Sequence, residues 1–421
     1  MSLQQITAND ILNLPANTVS NTQLVAGSVE NYLSSQGNFI TYRNRIQNGE
    51  MAVNQRATTS YNVSLSGSSA GSNFLGVDRW SYYFYNVSTT FNAGVNVKQT
   101  ADHPIKGSNG NCLEIICTTA ATPANNVDFF TMTHGIESQN ITDIFSGSSA
   151  LPMTLSFWVK SNKTGTYTVE LRDVQSGAGN YYILVTYTII NSGVWEKKVI
   201  NIPAPTFSSM PNNVSQGLYI QFSYASGLTS TYQPLVANSV GAWSNAYGTN
   251  GAAVTTQANL FSNVGNYHRL TDVQLESGST ATPFERRPYA VELQLCQRYL
   301  QTFGKLGASQ TLCAGVNYPR LGSGAPYQNY AYGAGTSLQS TMRISPSLTV
   351  TGNIGGYTIT NMATSDGYIV YANNFTTVLD SSGPTWFALR LQNPAGQFNQ
   401  YATIHATDFD GTGMLILTAE I

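Results

Sequence analysis

The segment 153-MTLSFWVKS-161 alternates apolar and polar residues with a period of two, which sets Leu155, Phe157 and Val159 on one face of a strand. The same pattern recurs in 166-TYTVELRD-173, where Tyr167, Val169 and Leu171 share a face, and in 218-LYIQFSYAS-226, where Leu218, Ile220, Phe222 and Tyr224 do. Turn-forming residues cluster between such segments, as in 174-VQSGAGN-180 and 245-NAYGTNGAA-253. Short strands punctuated by Gly, Asn and Ser, with no convincing helix from about 38 to 290, predict a mainly β chain built on an antiparallel β-sandwich.

The rest of the chain differs in texture. Residues 1–37 are polar, with two short apolar patches, 11-ILNL-14 and 28-SVENYLSS-35, and Thr7 with Asp10 as a capping pair for one helical turn. This is an arm that orders on a partner or a disordered tail. In 291-VELQLCQRYLQTF-303, Leu293, Cys296 and Leu300 recur at helical spacing, as do Val291 and Leu295, with Pro288 just upstream. Strands follow at 346-PSLTVTG-352, 367-GYIVYANN-374, 385-TWFALRLQN-393 and 413-GMLILTAEI-421. The expected organisation is an arm over 1–37, a sandwich over 38–290, and a linking helix with a smaller β tip domain over 291–421.

Composition limits function. Of 421 residues only 10% are charged, against roughly a quarter in an average soluble protein, and the formal net charge is −2. That offers no basic field for nucleic acid. The first twenty residues lack a basic n-region and an apolar h-region, and no apolar run approaches the ~20 residues of a membrane span. Synthesis in a cytoplasm without membrane insertion is expected. Cys112 and Cys117 stand at odd spacing, on opposite faces of a strand, too far apart to bridge at about 3.3 Å per residue. With Cys296 and Cys313 outside CxxC spacing, four reduced structural thiols and no metal site are expected.

Chemistry has little support. His103, His134, His268 and His405 are scattered, and no GxSxG, Walker or dinucleotide-binding motif stands in the right setting. The run 408-DFDGTG-413 lacks the later ligands of a calcium loop and reads as a turn. No enzyme and no cofactor are expected.

A binding surface is better supported, because neutral sugars are held by aromatic faces ringed with uncharged hydrogen-bonding groups. In 79-RWSYYFYN-86, Trp80, Tyr82 and Phe84 share one strand face and Tyr83 and Tyr85 the other; one is core, the other an aromatic platform or a surface covered by another layer. Aromatics in loops are the candidate glycan contacts: Trp243 and Tyr247 in 242-AWSNAYG-248, and Tyr318, Tyr327, Tyr330 and Tyr332 in 317-NYPRLGSGAPYQNYAYG-333.

Four blocks in order, 46-IQNGEMAVNQRATT-59, 74-FLGVDRWSYY-83, 154-TLSFWVKS-161 and 272-DVQLESGSTATPFERRPYAVELQLCQRYLQ-301, followed by 342-MRISPSLTV-350 and 419-AEI-421, resemble a recurrent module of bacteriophage tail fibres and related receptor-binding appendage proteins. The first part also resembles a jelly-roll carbohydrate-binding domain, through Asn48-Gly49-Glu50 and Asp272-Val273-Gln274-Leu275. The resemblance implies a homotrimeric structural protein of the virion, docked on a tail or capsid protein through residues 1–37 and facing a host surface glycan. It also implies a structural calcium in some members; here Met51 stands where an acidic ligand is often placed. Three function classes follow: a glycan-recognising fibre, a structural or decoration fibre without a sugar site, and a capsule-degrading tailspike. The third would carry long regular repeats, which this chain lacks.

The densest charge lies between the two β parts. Asp272 and Glu276 fall at the rim of a closing strand, with Val273 and Leu275 inward. Phe284 is placed to plug a seam, and Glu285, Arg286 and Arg287 to pair across a domain or subunit boundary. The helix over 291–303, with the last domain, is the expected trimerising element.

Overall fold

The computed structural model describes residues 43–420 apart from 57–59, 66–68, 75, 87–90, 106–109, 124–127, 176–180, 206–208, 228–239, 245–252, 255, 305–309, 318–329, 333–335, 352–356, 361–366, 371–375, 384–385, 393–401 and 409–413. The arm over 1–37 therefore lies outside the described residues. Residues 44–421 form one compact unit, so the sandwich and the strands after residue 291 belong to the same body.

Twelve strands build the first part. They are β1 (Tyr61–Leu65), β2 (Ser69–Phe74), β3 (Trp80–Asn86), β4 (Ala93–Thr100), β5 (Cys112–Thr119) and β6 (Phe129–Glu137). The remainder are β7 (Met153–Ser161), β8 (Gly165–Asp173), β9 (Tyr182–Ile189), β10 (Glu196–Ile202), β11 (Gln216–Ser226) and β12 (Tyr267–Ser277). One sheet runs β1-β4-β5-β12-β7-β10, the other β2-β3-β6-β11-β8-β9, and the named pairings within both are antiparallel. Non-consecutive neighbours in both sheets give the crossovers of a jelly roll.

The alternation explains the core. All ten apolar residues singled out on β7, β8 and β11 are fully buried and belong to the same core cluster between the sheets. Trp80 and Phe84 join them, which makes the Trp80–Tyr82–Phe84 face of β3 the inner one. Cys112, Cys117 and Cys296 are free and buried, and burial pushes the Cys112 thiol up to about 12.

Past the sandwich the expected helix forms over Tyr289–Gln297 (α1), with Pro288 at its N-cap. It is shorter than the periodicity suggested, because Leu300 opens a strand, Leu300–Gly304, that pairs with Met414–Thr418. Of the expected stripe Cys296 and Leu300 are buried while Leu293 is half-buried, and Glu292 and Gln297 are buried beside them, Glu292 accepting from the Asn48 N–H. Met414–Thr418 also pairs with Ser347–Thr351, completing a three-stranded sheet. Among the described residues no helix is long and apolar enough to cross a membrane.

Candidate functional site

The predicted junction residues come together, and the structure assigns each a partner. At Asp272 a bulge interrupts β12, with φ at 49°, and turns its carboxylate toward Arg286, which donates to it at 3.1 Å and to Glu50 at 2.7 Å. His103 lies 3.2 Å from the same carboxylate. Burial raises the Glu50 pKa and the Arg286 charge partly offsets it. Glu276 is buried rather than at a rim: it accepts from the Thr282 N–H at 2.9 Å and hydroxyl at 2.6 Å, closing the loop after β12. Glu285 accepts from the Asn44 N–H at 2.7 Å, and Arg287 reaches the Asn44 and Ile46 carbonyls and Glu292. Phe284 is half-buried with the Arg286 guanidinium 5.5 Å from its ring, so it flanks the joint and does not plug it.

The segment held by these residues is set by close backbone approach. Gly49 accepts from the Val273 N–H at 2.9 Å, and a Cβ on Gly49 would sit 2.2 Å from the Val273 carbonyl oxygen. Asn48, at φ 54°, spends its side chain on the backbone of Val53 and Asp78. This gives the Asn48-Gly49-Glu50 sequence a physical role: an amide that holds a left-handed turn beside a residue with no room for a side chain.

A second set of ions gathers around Arg79 and Glu137. Arg79, fully buried, donates to Gln47 at 3.0 Å, to the Gly135 carbonyl at 2.6 Å and to Glu420, and its guanidinium lies 3.4 Å from the centre of the Tyr299 ring. Glu137 accepts both Arg298 donors, at 2.7 and 2.9 Å, and the Tyr299 hydroxyl at 2.6 Å. Sequence reading missed Arg79, Glu137 and Glu420, which have no local pattern and meet across more than fifty residues of chain.

These carboxylates each accept from a guanidinium, a hydroxyl or a main-chain N–H, an arrangement that suits a joint. Among the described residues no group of His, Cys, Asp and Glu could hold a metal. The calcium implied by the resemblance does not fit: Glu50 and Asp272 share the Arg286 cation, and Met51 points into the core.

The loop aromatics fall out differently. Trp243 is half-buried against the core, edge-on to Phe145 at 5.9 Å, with its indole N–H donating to the Pro203 carbonyl at 2.8 Å. Tyr330 and Tyr332 lie on a short strand paired with Trp386–Gln392. Tyr247, Tyr318 and Tyr327 lie outside the described residues.

The outer side of the second sheet is more ordered, and most of it is covered. Opposite the inner residues of β3 stand Tyr83 and Tyr85, both half-buried, which meet Phe129 at 5.2 Å edge-on and 6.2 Å stacked. Beside them cross-strand pairing places Ser81, Thr133, Gln221 and Glu170 in one row, and Thr131 and Ser223 in the next. The Thr131 hydroxyl donates to the Tyr83 carbonyl at 3.1 Å, and Arg172 neutralises Glu170 at 2.7 Å. Gln257 bridges the end of this face, accepting from the Thr168 N–H at 2.9 Å and donating to the Ser223 carbonyl at 3.0 Å. The result is two half-buried tyrosines beside buried rows of hydroxyl and amide groups that bond to one another, with Glu170 paired to Arg172. Sequence flagged Tyr83 and Tyr85; the period-two polar residues of β6, β8 and β11 were the further signal.

No protein-family model matches the chain, and no curated protein does. Among solved structures it is similar to the enzymatically active domain of tailspike protein 4 of bacteriophage CBA120, at 12% identity and a TM-score of 0.29, over 56% of this chain and 22% of that one. It is also similar to a CBM4 structure, at 11% identity and a TM-score of 0.24, over 55% of this chain and 99% of that one. A family 11 carbohydrate-binding module of a Clostridium thermocellum cellulase matches at 15% identity and a TM-score of 0.25, over 51% of this chain and 98% of that one. The fold itself rests on the strand pairings.

Proposed function

We propose that this chain is a non-enzymatic structural protein of a bacteriophage fibre that adheres to a surface glycan through the outer face of its second sheet. The observation that carries the glycan reading is the pair of half-buried rings, Tyr83 and Tyr85, held on the outer side of β3 around Phe129. Aromatic faces pack on the apolar face of a sugar ring, and hydroxyl and amide groups exchange hydrogen bonds with its hydroxyls. The fibre reading, with a homotrimer, virion location and docking through residues 1–37, is supported by the ordered sequence blocks that resemble tail-fibre modules.

A glycan array and host-cell binding assay with the full chain, comparing wild type with Tyr83→Ala and Tyr85→Ala, tests this. Loss of about tenfold in affinity per ring is expected for a stacking contact. Absence of any glycan or cell binding by the wild type would sink the adhesion reading. A purely structural spacer is favoured by one observation: Ile190, Val194 and Val264 are 72%, 52% and 65% exposed in turns that Asn162 helps tie together at one end of the sandwich, where a second copy would cover them.

A further inference from the structure

The outer face of the first sheet carries charge and aromatic surface that neither the core nor the joint uses. Strand pairing sets Lys98, Glu114, Arg269 and Lys160 side by side across β4, β5, β12 and β7. Trp195, directly before β10, continues this row, since Glu196 pairs with Val159. The neighbouring outward row sets Thr271 beside Trp158 and Lys197. Asp102, just past β4, lies over the first row and accepts from Lys160 at 2.9 Å, Arg269 at 2.5 Å and the Trp195 indole N–H at 3.2 Å.

Two features point to a ligand. In these two rows four cations, Lys98, Lys160, Lys197 and Arg269, stand with two carboxylates, Glu114 and Asp102, a local excess of two positive charges in a chain of formal net charge −2. Lys197 is exposed, makes no ion pair among the described residues, and lies directly across from the half-buried Trp158. Trp195 is held edge-fast by its hydrogen bond to Asp102, with Lys160 5.9 Å from its ring. The face therefore presents two indoles in adjacent rows with ammonium groups beside them.

We propose that this face binds an acidic polysaccharide, its sugar rings against Trp158 and Trp195 and its anionic groups on Lys197, Lys160 and Lys98. Four cations on a flat sheet are too few for the six or more phosphate contacts of a typical duplex binder, which favours an acidic glycan over nucleic acid. The site is separate from the Tyr83–Tyr85 side of the second sheet and does not depend on it.

The test is calorimetric titration of the full chain with polygalacturonate and dextran sulfate, at about 10 mM and 150 mM salt, where screening lengths are roughly 30 Å and 8 Å. At least one polyanion is expected to bind, roughly tenfold more weakly at the higher salt. Lys197→Glu should lower affinity about tenfold and weaken the salt dependence, while Tyr83→Ala leaves it unchanged. Lys197 is exposed, so this variant should keep the wild-type unfolding midpoint; Trp195→Ala gives a second, uncharged probe of the same face. Failure of both polyanions at low salt, indifference to both variants, or tighter binding of duplex DNA than of either polysaccharide overturns the proposal. Loss of neutral-glycan binding on Tyr83→Ala bears only on the second sheet.

Discussion

Replacing Glu420 by Ala removes the carboxylate that Arg79 meets in the interior while leaving every strand of the sandwich in place. Arg79 side-chain exposure is 0% and that of Glu420 is 4%, so the guanidinium left behind has no route to water. Breaking a buried pair on one side costs about 3–5 kcal/mol. Arg79 would still donate to Gln47 and Gly135 and lie on the Tyr299 ring, which places the expected loss near the lower end, about 3 kcal/mol. Urea unfolding followed by tryptophan fluorescence reads this directly, with Trp80 one residue from the perturbed group. At a slope near 3 kcal/mol per M, the midpoint should fall by about 1 M. Arg45→Ala is the control: its partner Asp143 has a side chain 49% exposed, and such a surface pair is worth at most about 1 kcal/mol. A Glu420→Ala shift no larger than the control would refute the idea that this ion pair clamps the last strand region to the sandwich.

Gly49→Ala should be as damaging with no change of charge, because its Cβ meets the Val273 carbonyl oxygen at 2.2 Å and must push residues 44–50 away from β12. A loss above about 2 kcal/mol, seen as a melting temperature lower by roughly 5 °C, is expected, and a wild-type melt would contradict it. Acid sensitivity should trace in part to His268, which is fully buried beside the Tyr187 hydroxyl at 3.1 Å and whose pKa burial pushes down to about 3. The unfolded chain takes up this proton near 6.5, so the stability is complete above that pH and declines as pH falls toward 3, by at most roughly 1.4 kcal/mol per unit. Denaturation midpoints of His268→Gln against pH should be flatter than wild type over that window; parallel profiles would remove His268 as the cause.

The fold was readable wherever one face of a strand is buried. On β7, β8 and β11 alternation alone identified ten residues that the core swallows completely, because a strand between core and solvent must repeat every two residues. Helical spacing was less reliable at 291–303. Leu300 matches the helix period, yet it pairs with Thr418 on a strand, and partners from more than a hundred residues away outweigh local preference. The binding surface was half legible: Tyr83 and Tyr85 declared a second face, but only pairing with β6 brings Phe129 between them.

By itself the sequence determined the class of the protein: alternation demanded β-sheets, low charge argued against a broad nucleic-acid surface, and the cluster from Asp272 to Arg287 announced a joint. Tertiary structure decided what each charge at that joint does. Arg286 is shared by Glu50 and Asp272, Arg287 ties residues 44–46 to α1, and Arg79 meets Glu420 from 341 positions away. Periodicity is a local property that any strand writes into its own residues. Ion pairing and backbone contact depend on which strands the crossovers bring together, and that is a property of the closed sandwich.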